Sequence, residues 1–230
     1  MVLAAGRGER MRPLTDSLPK PMLAVGGKPL IVWHLERFAA WGIEEVVINH
    51  AHLGHVLVAS LGDGSQWGLS IRYSAESCAL ETAGGIAQAL HLLGDAPFLV
   101  VNGDVFCDLD ADAVRAARNR LTGSDTLAHL WLVDNPQHKP VGDFTLCADG
   151  ILLPQPDAGG GQAMTFSGVG MYRPTLFEAC ARGEKAALAP LLRAAMSAQR
   201  VTGQHLPGRW VDVGTPQRLV ELDRELQASN

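Results

Sequence analysis

The chain has 230 residues, 47% hydrophobic and 19% charged, with 25 glycines and 13 prolines. It is too apolar for a disordered protein, too rich in turn formers for a helical bundle, and short enough to be one α/β domain over 1–230. A formal charge of −5 excludes general attraction to nucleic acid or to an anionic membrane, so any anion site must be local.

Apolar, β-branched runs bounded by Gly or Asp predict buried strands at 2–5, 46–48, 98–101 and 127–133. Helical patterns fall between them: Leu30 to Trp41 stopped by Gly42, Ile86 to Leu93 stopped by Gly94, and Ala111 to Leu121 before Gly123. This alternation implies right-handed crossovers, hence a doubly wound, mostly parallel, Rossmann-like sheet with ligands beyond the carboxyl ends of its strands. Pro154 to Gly161 reads as a flexible surface excursion within the domain. Strand-like pieces at 144–147, 151–153, 164–172 and 210–213 alternate with helices from about Pro174 and Leu188, which predicts antiparallel additions covering the site. Thr215 as N-cap and Pro216 at the first helical position open a last helix with Leu219, Val220, Leu222 and Leu226 on its apolar side. No apolar run reaches the roughly 18 residues of a membrane span, and the start lacks a signal peptide's cationic flank, so a cytoplasmic protein is expected. Cys78, Cys107, Cys147 and Cys180 form no C-x-x-C and are expected to be reduced, small core residues.

The first strand runs into Ala4-Ala5-Gly6-Arg7-Gly8-Glu9-Arg10-Met11-Arg12-Pro13-Leu14-Thr15. Two glycines after a strand let backbone N–H groups approach a phosphate, although a tight turn with surface arginines reads the same locally. The Rossmann fingerprint fails at Met11, and the only Gly-Lys, Gly27-Lys28, precedes Pro29 rather than Ser or Thr. What favours a phosphate is charge: Arg7, Arg10, Arg12 and Lys20 stand against only Glu9 and Asp16. Lys20 lies in Pro19-Lys20-Pro21, a stiff frame because each proline fixes its own φ and restricts its predecessor. Asp104 follows the apolar run 97–101 through Asn102-Gly103, and Asp212 follows Trp210-Val211, so both carboxylates emerge at strand ends. Together they suit Mg²⁺, which takes hard oxygen ligands and completes its shell with water and phosphate; each alone could equally cap a loop.

Five ordered segments, 3–15, 19–21, 81–85 (Glu-Thr-Ala-Gly-Gly), 102–104 and 210–215, resemble the signatures of the sugar-phosphate nucleotidyltransferases. Leu80 to Gly85, Pro140 to Phe144 and Thr165 to Gly170 look most like the bacterial N-acetylmuramate-1-phosphate uridylyltransferases of peptidoglycan recycling. The resemblance implies transfer of UMP from UTP to a sugar 1-phosphate by a compact, Mg²⁺-dependent monomer. It also implies that the chain begins a few residues later than its relatives. Gly6 and Gly8 with their backbone amides would cradle the triphosphate and Asn102 would line the nucleotide, with Ala5, Glu76, Thr82 and Gly85 about the base. Arg10 would screen pyrophosphate, Lys20 would bridge the reacting phosphates, and Asp104 and Asp212 would hold the metal. Gly142, Asp143, Ser167 and Gly168 would meet the sugar, although Gly168 also reads as a strand bulge. Glu76 stands where relatives often carry Gln and can only accept hydrogen bonds when ionised, which leaves a ribose or loop contact open.

Related activities, thymidylyl or uridylyl transfer to glucose 1-phosphate and guanylyl transfer to mannose 1-phosphate, are the nearest alternatives. A silent nucleotide-sugar sensor would have no reason to keep Arg10, Lys20, Asp104 and Asp212 together. His50-Ala51-His52-Leu53-Gly54-His55 nearly spells a binuclear zinc hydrolase run, with Gly54 where the aspartate belongs.

Overall fold

The computed structural model describes residues 1–156 and 159–228. The strands are β1 (Val2–Leu3), β2 (Ala24–Val25), β3 (Lys28–Pro29), β4 (Glu45–His50), β5 (Ser70–Ala75), β6 (Phe98–Asn102) and β7 (Val105–Cys107) in the first half. They continue as β8 (Ala128–Val133), β9 (Phe144–Cys147), β10 (Leu152–Leu153), β11 (Gly161–Tyr172), β12 (Val201–His205) and β13 (Trp210–Asp212). The helices are α1 (Leu30–Ala40), α2 (Gly54–Leu61), α3 (Glu81–Leu93), α4 (Ala111–Thr122), α5 (Leu188–Ser197) and α6 (Pro216–Ala228).

Strands β5, β4, β1 and β6 lie side by side, all parallel, so the order reverses beside β1 as in a Rossmann-type sheet. The expected antiparallel additions follow. The long strand β11 pairs antiparallel with β6, β8 and β9, while β12 runs parallel to β8 and β10 closes the edge on β9. A short ladder, β7 with β13, stands apart from the main sheet.

Alternation along the strands divides the core between two faces. Val46, Ile48, Leu99 and Val101 join α1, α2 and α4 on one side. Val47, Phe98 and Val100 join α3 and α5 on the other. A third cluster gathers Met11 of the glycine loop, Leu23 and Val25 after Lys20, Val213 after Asp212, and Leu222 and Leu226 of α6. Burying each such leucine contributes roughly 1.5–3 kcal/mol, so the loop, the lysine frame and the second aspartate are clamped together rather than merely adjacent.

Several expectations change. Segment 81–85 is the first turn of α3, not a loop, and Pro174–Phe177 forms only one short 3-10 turn where a helix was expected. Val220 faces solvent. Of the four cysteines, all free, only Cys107 is buried and Cys78 is exposed. Within the expected excursion at 154–161, residues 157 and 158 lie outside the described residues, and Gly161 already belongs to β11. Among the described residues, no helix is long and apolar enough to cross a membrane.

Candidate active site

A two-lobed cleft opens where the strand order reverses. The narrow lobe, about 220 Å³, is lined by Ala4, Ala5 and Gly6 leaving β1, by Lys20, by Asn49 and Glu76, and by the start of α3. The wide lobe, about 630 Å³, takes Arg10, His138, Lys139, Asp143, Trp210 and Asp212, among others, into its wall. Glu81, Thr82, Asn102 and Asp104 line both lobes, which makes them one continuous cleft.

The proline frame folds as a 3-10 turn over Lys20–Met22 that leaves Lys20 only 7% exposed, its Nζ 2.5 Å from Asp104 Oδ2. Gly8 sits behind this lysine. Its φ is +66°, and a Cβ there would lie 3.2 Å from Lys20 Cβ and 3.1 Å from Thr15 Cγ2, so glycine lets the loop close on the lysine. Buried Thr15 secures the loop by donating from Oγ1 to the Gly8 carbonyl at 2.9 Å. Two of the loop's four cations do not reach the cleft walls: Arg7 donates to the Thr15 carbonyl, and Arg12 pairs with Asp16 at 2.8 Å. Arg10 and Lys20 do reach it.

The β7–β13 ladder sets Asp212 opposite Val105, and Val213 N–H donates to the Asp104 carbonyl at 2.9 Å. Both aspartates therefore border the wide lobe, Asp104 from the turn that precedes β7 and Asp212 from β13. Arg218 of α6 holds Asp212 through Oδ2 at 3.0 Å and through its carbonyl at 3.1 Å. Among the described residues no group of three or more His, Cys, Asp or Glu is arranged to hold a metal. Two neighbouring carboxylates facing a cleft with cations on its wall nonetheless fit Mg²⁺, because that ion takes one or two protein carboxylates and the rest from phosphates and water.

The family profile described as Nucleotidyl transferase matches residues 1–142. The N-acetylmuramate alpha-1-phosphate uridylyltransferase of Neisseria meningitidis serogroup B is 56% identical, over 96% of this chain and 95% of that protein. The chain belongs to the nucleotidyl transferase family. The protein of the same description from Caulobacter vibrioides is 36% identical over 98% of this chain and 96% of its own length. A solved Bacillus anthracis structure assigned to glucose-1-phosphate thymidylyltransferase shares the fold at a TM-score of 0.82, covering 100% of this chain and 95% of its own, with 20% identity.

The nucleotide-side expectations divide. Ala5, Gly6, Lys20, Glu76, Thr82 and Asn102 line the narrow lobe. Gly85 lies behind that wall, where a Cβ would come within 2.7 Å of Glu76 Oε1 and 2.8 Å of Asn49 Nδ2. Glu76 itself is buried and occupied: Oε1 accepts from Asn49 Nδ2 at 2.6 Å and Oε2 from Leu80 N–H at 2.9 Å. Its carboxylate thus fixes the loop before α3, which is the loop contact left open by the sequence. Asn49, which sequence reading passed over, also accepts from Ala4 N–H at 2.9 Å and so ties β1 to the cleft floor.

On the sugar side, Asp143, Ser167 and Gly168 line the wide lobe. Gly142 is absent from that wall and closes a turn, its N–H donating to the Lys139 carbonyl at 3.3 Å. The expected bulge is present: the β11–β8 register shifts between Phe166 and Val169, with Gly168 at φ +83° against Asn102. Ser167 spends its hydroxyl on this bulge, donating to the Trp131 carbonyl at 2.6 Å and accepting from Val169 N–H at 3.2 Å. Asp143 Oδ2 accepts from Phe166 N–H at 2.9 Å, and Oδ1 pairs with Lys139 Nζ at 2.5 Å. His138 and Lys139 were missed because a polar loop carries no periodicity.

The three histidines of the hydrolase-like run diverge. His52 Nε2 lies 2.5 Å from Arg7 Nη1, His50 stacks edgewise on Tyr73, and His55 is exposed. A Cβ at Gly54 would fall 2.0 Å from His50 Nδ1, so an aspartate there would require the His50 ring to move. Burial pushes the His50 pKa down, against a smaller opposing pull from Glu76.

Proposed function

We propose that this family member transfers the uridylyl group of UTP to N-acetylmuramate 1-phosphate, giving UDP-N-acetylmuramate and pyrophosphate. The observation that carries this reading is the 56% identity to the Neisseria uridylyltransferase, which extends over 96% of the chain and thus over both lobes of the cleft.

The narrow lobe takes the uridine, and the wide lobe takes the sugar, with Phe144, Phe166 and Trp210 offering apolar surface to the acetamido methyl. An oxygen of the sugar phosphate bonds to the α-phosphorus as the bond to the bridging β-phosphate oxygen breaks, and pyrophosphate leaves with that electron pair. The attacking phosphate is already ionised near neutral pH, so no general base is required. The protein's contribution is alignment and charge. Backbone N–H groups about Ala5 and Gly6 receive the triphosphate. Lys20, buried and held in place beside Asp104, bridges the α-phosphate and the incoming phosphate, and Arg10 screens the departing pyrophosphate. Asp104 and Asp212 would hold Mg²⁺, which when bound would supply neutralisation of phosphate charge.

Pyrophosphate release should be measured over a matrix of four nucleoside triphosphates and several sugar 1-phosphates. UTP with N-acetylmuramate 1-phosphate should give the highest kcat/KM; a different best pair overturns the assignment.

A further inference from the structure

We infer that Lys139 is the residue that selects a carboxylate-bearing sugar, by pairing with the acid of the substrate's ether-linked lactyl group. This rests on the reading proposed above. N-Acetylmuramate differs from N-acetylglucosamine only by that lactyl ether, so a site that prefers it must add a cation away from the phosphates. The cleft is otherwise hostile to such a group, because Glu81, Asp104, Asp143 and Asp212 all lie on the wall of the wide lobe. An additional carboxylate entering among them is repelled unless a positive charge meets it.

Three basic side chains line that lobe: Arg10, His138 and Lys139. Arg10 belongs to the glycine loop and serves the phosphates. His138 Nε2 lies 4.0 Å from Asp212 Oδ2, one of the two carboxylates that would hold the metal. Lys139 is left, at the sugar end, beside Asp143 and the turn preceding β9. Its ammonium carries three N–H donors, of which Asp143 takes one at 2.5 Å. Its side chain is 42% exposed, so the pair with Asp143 contributes little to the fold and the remaining donors are open to a ligand.

The test compares KM for N-acetylmuramate 1-phosphate and N-acetylglucosamine 1-phosphate, with UTP saturating, in wild type, Lys139→Met, Lys139→Gln and Lys139→Arg. Loss of the ammonium should raise KM for the muramate about tenfold or more, the scale of a charge-assisted contact, and move the glucosamine value less than about threefold. Arginine should recover most of the difference. Equal shifts for both sugars, or no shift in either, overturn the inference, since a merely structural role through Asp143 does not distinguish the two. The wild-type row separates the two claims: if wild type does not use the muramate, the uridylyltransferase reading fails first. If it does and the Met and Gln variants keep its preference, only the role of Lys139 fails.

Discussion

The two lobes of the cleft are made of different material. The narrow lobe is lined by the small residues Ala4 to Gly6 leaving β1 and by Leu80 to Thr82 opening α3, with the hydrogen-bonded Asn49–Glu76 pair in its wall. The wide lobe takes larger polar and aromatic residues, among them His138, Lys139, Asp143, Phe166 and Trp210, from antiparallel strands and from the loop between β8 and β9. A wall that includes small residues lets backbone N–H groups approach the parts that every nucleoside triphosphate shares, while larger side chains can change a wall's chemistry without moving the fold.

The most severe test of this division strikes the groups that serve the phosphates, where the lobes meet. Lys20→Ala and Asp212→Asn should each lower kcat by about 10²–10³-fold, the scale of removing one preorganised charge from a phosphoryl-transfer site. Circular dichroism and the melting curve should stay close to wild type, because Lys20→Ala leaves Asp104 partly open to solvent and Asp212→Asn keeps the side chain's shape beside Arg218. A folded variant with wild-type kcat removes that residue from the mechanism.

The same division governs what could be read from the sequence. Lys20, Asp104 and Asp212 were legible because a proline frame and two strand ends fix them, and both signals are local. Strands β6 and β8 and helices α1 and α4 lie within a residue or so of expectation, since their apolar runs coincide with burial. Edge strand β5 was missed, its six residues, Ser70 to Ala75, burying only Ile71 and Ser74. Helix α2 was missed as well, opening on a glycine after Leu53 at φ +53° with no side-chain cap. The first turn of α3 looked like a loop because two glycines oppose helix and its partner is remote: the Ala186 carbonyl accepts from Ala83 and Gly84 N–H at 2.9 and 3.0 Å. The occupied carboxylate of Glu76 was hidden for the same reason, since Asn49 lies 27 residues away.

Each half also carries a buried neutral histidine, and acid should reveal which half gives way first. In the parallel half, His34 Nε2 donates to the Val105 carbonyl at 2.7 Å and burial lowers its pKa to about 4. In the antiparallel half, His129 bonds Thr202 and Gln204, and burial lowers its pKa to about 4 as well. An unfolded chain binds protons on both near pH 6.5 while the folded one resists them, so their stabilisation is complete above about 6.5 and is lost as pH falls toward 4. The loss is on the order of 3 kcal/mol for each histidine. Urea unfolding between pH 7.5 and 4.5 should show this slope, and His34→Gln or His129→Gln should each flatten it. An unchanged slope in both variants places the acid sensitivity elsewhere.

The smallest effect sharpens the comparison at the seam, where residues 184–186 lie across the start of α3. A Cβ at Gly84 would stand 2.4 Å from the Glu184 carbonyl and 3.0 Å from Ala186 N, and both of those atoms are backbone, so the crossing segment must shift. Gly84→Ala improves helix propensity yet should cost about 1–3 kcal/mol, because the clash outweighs the roughly 1 kcal/mol that alanine gains over glycine in a helix. The displaced segment leads directly into Ala187 and Leu188, which line the wide lobe alone, whereas Thr82 of the same turn lines both lobes. KM for the sugar phosphate should therefore rise more than KM for the nucleotide in steady-state assays of this variant. If the nucleotide KM rises as much or more, the strap braces both lobes equally and the wide lobe is not the more adjustable of the two.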